Sequence, residues 1–190
     1  MILRQLLFAA LCLMLIGCSQ TPDPVRIAPE PQSPGARISI PHQSVALREV
    51  SLPAYATDES ISIADGTGAI RELPGSIWAD DPTRAVTLRL TNALADLTGR
   101  TVASDPWPFG GSPEVVVDVR IERLLAEEGG RYLAQGRYYI AHEDEERTDR
   151  AGSFNLIESY DPALGFPAIA QARSQIIAAL AREIAQRGLR

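Results

Sequence analysis

The chain has 190 residues, 45% of them hydrophobic, and a net charge of −6 at pH 7. All 18 of its basic residues are arginine against 24 acidic ones, a balance that removes the electrostatic basis for nucleic-acid binding. Two cysteines and two histidines leave little material for thiolate chemistry or for a Cys/His metal site.

Residues 1–17 have the layout of a secretory signal peptide. Arg4 supplies the positive start, the apolar run from Leu6 to Ile16 is short for a membrane span, and small Gly17 precedes Cys18. Leu15-Ile16-Gly17-Cys18 resembles a bacterial lipobox. That resemblance implies cleavage before Cys18, with lipid on its sulfur and on the new N-terminus; the alternative is an ordinary signal peptide with a coincidental cysteine. Ser19 rather than Asp after the cysteine is similar to the outer-membrane default. On the lipobox reading Cys12 leaves with the signal and Cys18 is capped, so the mature domain has no free thiol.

Residues 18–43 then form a lipidated, Pro-rich tether holding Pro22, Pro24, Pro29, Pro31, Pro34 and Pro41. Proline fixes φ and removes donors, which favours an extended chain reaching roughly 60 Å at about 3.1 Å per residue. A single domain is expected over 44–190, inside the usual size range.

Within that domain, 45–52 reads as a strand that stops at Pro53. Ile61 and Ile63 alternate with polar neighbours, Asp65-Gly66-Thr67-Gly68 supplies a turn, and 69–73 returns as the second arm of a hairpin. Asp81-Pro82 opens a helix, with Asp as N-cap and Pro at N1. Val86, Leu90, Leu94 and Leu97 recur at helical spacing and Gly99 stops it, so the helix is predicted over 82–98. Residues 105–113 are a Pro/Gly-rich loop carrying Trp107 and Phe109. Three strands follow. Val115, Val117, Val119 and Ile121 share one parity, Tyr132, Ala134, Gly136, Tyr138 and Ile140 another, and Phe154 and Leu156 lie on the third strand within 150–160. The last helix is predicted over 168–187, on the stripe Ile169, Ala172, Ile176, Leu180 and Ile184. The order predicts an α+β fold: a mostly antiparallel sheet with two main helices packed on it.

The chain carries no GxSxG, Walker or HExxH motif, and Gly66-Thr67-Gly68 has Arg71 where a dinucleotide fingerprint needs its third glycine. No catalytic residue, cofactor or metal is expected. His42 and His142 fall in polar loops and read as surface residues, and His142 to Glu146 reads as a solvated hairpin tip. Trp78 is placed to pin the chain onto the core before the first helix. Trp107 and Phe109 lie in a loop with no obvious partner strand, so they are the candidate partner-binding residues, with packing over the core as the alternative.

Several features together resemble the PqiC family, the ABC-type transport auxiliary lipoproteins. These are the lipobox and Pro-rich tether, Val50-Ser51-Leu52-Pro53-Ala54-Tyr55, Ile77-Trp78-Ala79-Asp80-Asp81-Pro82 before the first helix, and the meander with a closing Ala-rich helix. The resemblance covers roughly 44–187. It departs after Tyr55, where Ala56-Thr57-Asp58-Glu59-Ser60 replaces a basic residue and Pro-Gln. The resemblance implies an accessory rather than an enzyme. It would be an outer-membrane lipoprotein facing the periplasm, associated with an MCE-domain protein of an ABC-type lipid transporter and able to form a homo-oligomer on it. A second reading is an outer-membrane biogenesis lipoprotein that plugs or chaperones a barrel for lipopolysaccharide export.

Overall fold

The computed structural model describes residues 23–30, 35–144 and 146–190. The signal peptide over 1–17 and the lipidation at Cys18 lie outside these residues. The elements run β1 (Val25–Ile27), β2 (Ser44–Leu47), β3 (Ser60–Ala64), β4 (Ile70–Trp78), α1 (Pro82–Thr98), β5 (Thr101–Ser104), β6 (Val115–Glu127), β7 (Arg131–His142), β8 (Arg150–Ser159) and α2 (Phe166–Glu183). A π-helical turn, Ile184–Gly188, continues α2. No helix among the described residues is long and apolar enough to cross a membrane.

The architecture is α+β. The antiparallel meander β6-β7-β8 is its largest part. Along its other edge β6 carries two short strands end to end: β2 pairs in parallel with its start (Val45↔Val115) and β3 with its end (Ile63↔Ala126). β5 extends the sheet beyond β2, and the antiparallel pair β3-β4 followed by parallel β1 extends it beyond β3. Short parallel pairings therefore flank a long antiparallel centre.

Local chemistry sets the helix limits. The Asp81 carboxylate accepts from the Arg84 amide at 2.7 Å, Pro82 needs no partner at N1, and Gly99 takes φ 65° so that its N–H reaches the Ala95 carbonyl at 2.8 Å. The predicted and observed limits of α1 coincide. α2 begins two residues earlier than its stripe suggests, because Phe166 and Pro167 already lie in its first turn.

β6 switches its buried parity. Val115, Val117, Val119 and Ile121 are buried; then a register shift between Ile121 and Arg123 hands the inner face to Leu124 and Ala126. On β7, Gly136 faces this bend. A Cβ there would run into the Arg120 carbonyl and the Phe154 ring, so the close strand crossing needs glycine. One continuous core joins these residues to Val86, Leu90, Leu94 and Leu97 of α1 and to Ile169, Ile176, Ile177 and Leu180 of α2.

The Pro-rich segment departs from a free tether. Val25–Ile27 pairs with β4, and Ile38 and Ile40 enter the core at 5% and 2% exposure. The Ile38 N–H donates to the Leu97 carbonyl at 2.7 Å, and Arg100 donates to the Ile40 carbonyl at 3.0 Å. Ile38, Ile40 and His42 alternate with exposed residues, so the segment buries one face as an edge strand would. Proline is tolerated there because Pro41 faces solvent. The packed unit thus begins before residue 44.

Candidate functional site

Three places gather the chemistry of the chain. The first is the loop 105–113. Trp107 is half-buried and Phe109 is 53% exposed; their rings meet edge to face, centroids 5.0 Å apart at 66°. The Trp107 indole N–H is buried without a hydrogen-bond partner. The pair holds its own geometry and leaves one phenyl ring open to a partner.

The second is a histidine pair. His42 and His142 do not lie apart on the surface: their centroids are 5.1 Å apart and both side chains are buried, His42 at 4% exposure. β2 runs parallel to β6, and β7 returns antiparallel, so His42, just before β2, and His142, ending β7, arrive at one end of the sheet. Burial lowers the pKa of His42, helped by His142, Arg147 and Arg150 and opposed by Glu114. His142 Nδ1 is buried without a hydrogen bond, 3.8 Å from Asp149. Among the described residues no group of three or more His, Cys, Asp and Glu could hold a metal ion. Glu143 and Asp144, in the acidic tip, are exposed as expected.

The third is a cavity of about 340 Å³ between α1 and α2. Small residues open it: Ala85 and Ala93 on α1 face Ser174 and Ala178 on α2. Trp78 forms part of its wall, buried as the sequence suggests. Residues 27–29 lie against it, held by Arg89, which donates to the Pro29 carbonyl. Arg173 lines it at 3% exposure, with its guanidinium 4.2 Å from the Trp78 ring centroid and donating to the Pro82 carbonyl at 3.3 Å. Burial lowers the Arg173 pKa, and it also pushes that of nearby Tyr132 up to about 12.

Arg173 was missed in the sequence, and the two histidines, read there as separate surface residues, are instead buried together. Arg173 has a signal: it sits between Ile169 and Ile177, four residues from each, on the apolar stripe of α2, where a charge is out of place. The pairing of the histidines had none, since only the strand register brings them together.

Two solved structures share this fold. One, a crystal structure of an uncharacterized protein, has a TM-score of 0.66 at 18% identity, covering 80% of this chain and 98% of that one. The other, protein XCC0632 from Xanthomonas campestris, of family DUF330, has a TM-score of 0.56 at 14% identity, covering 86% and 92%. Comparison with curated proteins gave no match. The family model for the ABC-type transport auxiliary lipoprotein component matches residues 26–185, nearly all of the packed unit, and the chain belongs to that family.

Proposed function

We propose that the protein is a non-catalytic subunit of an MCE/ABC-type intermembrane lipid transport system. In this reading it is anchored by lipid on Cys18 at the outer membrane, with its domain facing the periplasm. It docks the periplasmic MCE-domain protein there and supports membrane integrity. The observation that carries this reading is the auxiliary-lipoprotein match over 26–185, which spans both helices and all of the sheet but the first residue of β1. The exposed Phe109 ring, held edge to face against Trp107, supports a docking role for the loop 105–113. Several copies could gather on a partner with repeated surfaces and gain avidity.

The test uses the full chain in its own envelope. Tagged protein is expected to take palmitate label, to fractionate with outer membrane and to co-purify an MCE-domain protein after detergent extraction. Cys18→Ala should lose the label. Capture of an outer-membrane barrel of lipopolysaccharide export, with no MCE-domain protein, would sink the transport reading. Label persisting in Cys18→Ala would sink the anchor alone.

A further inference from the structure

The cavity between α1 and α2 contains a buried cation without an anion. Arg173 makes no ion pair among the described residues; it donates to one carbonyl at 3.3 Å, lies against the face of Trp78 and has the buried phenol of Tyr132 as its neighbour. A guanidinium withdrawn from water costs several kcal/mol unless charge and hydrogen bonds compensate it. Cation–π contact offsets about 2 kcal/mol of that. The next residue, Ser174, has a buried hydroxyl with no partner, and it lines the same cavity. Arg89 places a second guanidinium at the cavity, close enough to press on the Arg173 charge. The rim carboxylates do not cancel this field: Asp80 is engaged by Arg84, and Asp96, also at the rim, is exposed to solvent and so screened. Beyond the polar end the walls are apolar, from Val86, Ala93, Ile177 and Ala178.

We propose that this cavity binds a single-chain amphiphile with an anionic head, the head on Arg173 and Ser174 and the chain along the apolar walls between the helices. The volume, about 340 Å³, is near the lower end of small-molecule sites (~300–1,000 Å³) and suits one acyl chain rather than two. Ile27, the last residue of the three-residue edge strand β1, and residues 28–29 after it form one side of the cavity, and this sheet edge is the way in. The inference goes beyond partner docking and does not depend on it.

The probe is palmitate bearing a mid-chain diazirine, photolysed with the full chain in phosphatidylcholine nanodiscs and mapped by mass spectrometry. The label is expected on the facing surfaces of α1 and α2. Unlabelled palmitate or lysophosphatidate should compete at least about tenfold better than lysophosphatidylcholine; whichever of the two is stronger tells a carboxylate from a phosphate head. Arg173→Met should lower labelling by about tenfold to a hundredfold, the loss of a charge-assisted hydrogen bond. Because Arg173→Met removes a buried side chain, Asn92→Trp at the exposed rim provides the second variant. It should block labelling with an unchanged melting temperature. Label confined to other surfaces, equal competition by lysophosphatidylcholine, displacement by inorganic phosphate alone, or labelling undiminished in Asn92→Trp would overturn the proposal. Competition only by a peptide with a free C-terminal carboxylate would overturn it in favour of a peptide site.

Discussion

Replacing Ile38 and Ile40 together by alanine should remove a large share of the domain's stability. Both side chains lie in the core, at 5% and 2% exposure; the Ile38 amide donates to the Leu97 carbonyl of α1, and the Ile40 carbonyl accepts from the Arg100 guanidinium. Burying an isoleucine is worth about 1.5–3 kcal/mol by transfer alone, and truncation to alanine in a packed site costs about 2–5 kcal/mol. The segment sits at the edge of the domain, where the site can partly collapse, so the lower values apply and the pair should cost about 4–6 kcal/mol. Domains of this size hold about 5–15 kcal/mol in total. The assay is urea denaturation of the mature protein, followed by far-UV circular dichroism. Ser39→Ala, between the two and exposed, is the control and should stay within about 0.5 kcal/mol. A double variant with the parent midpoint and slope would refute the reasoning: residues 35–43 would then be a tether and the fold would start at β2.

Stability should fall on acidification from pH 7.5 to 5.5. The unfolded chain protonates His42 near 6.5, while burial and the neighbouring cations hold the folded value lower. The unfolded state therefore binds more protons, and the contribution is complete above 6.5 and lost as pH drops toward the folded value. His42→Asn should flatten the urea midpoint across that range; an unchanged slope with pH would remove His42 as its source. Trp107→Ala with Phe109→Ala should weaken capture of the proposed MCE-domain partner at least about tenfold while the melting temperature moves little, since Phe109 is 53% exposed. Undiminished capture would take this loop out of the interface.

How far the sequence could be read depends on whether a feature is local. α1 was legible to the residue because Asp81-Pro82 and Gly99 act on their own neighbours. The meander was legible because Val115 to Ile121 and Tyr132 to Ile140 alternate on a half-buried sheet. Two things in the same region were not. The register shift after Ile121 leaves only a short trace, Arg123 breaking the odd parity and Leu124 taking the even one, and four-residue β5 is too short and too mixed, Thr-Val-Ala-Ser, to declare a period. The Pro-rich segment misled for a different reason. Its prolines forbid a central strand but not an edge, and Ile38, Ile40 and His42 already showed a period of two. Long-range register decided the rest, bringing His42 to His142 and Arg173 beneath Trp78.

The docked N-terminal segment also changes how far the domain can stand from a membrane, given the anchor proposed at Cys18. Val25 is seven positions after Cys18, so with β1 paired to β4 the connecting chain spans at most about 25 Å. If β1 detaches, the next fixed point is Ile38, twenty positions from Cys18, and the limit rises to roughly 70 Å. Among the described residues, the three ladder positions of β1, the Ala79 amide donating to the Ile27 carbonyl at 2.9 Å, the Arg26–Glu59 ion pair, the Arg89 contact to Pro29 and the partial packing of Ile27 separate the two lengths, a lower barrier than the core anchoring of Ile38 and Ile40. Ile27→Asp should favour the long form, because Ile27 packs partly against the core and a carboxylate there would meet apolar surface. Energy transfer from a dye on β8 to acceptor lipid in reconstituted bilayers reads the height directly. The wild type should lie close to the membrane and Ile27→Asp clearly farther away, with equal melting temperatures. Equal heights for both proteins would show that β1 does not hold the domain down.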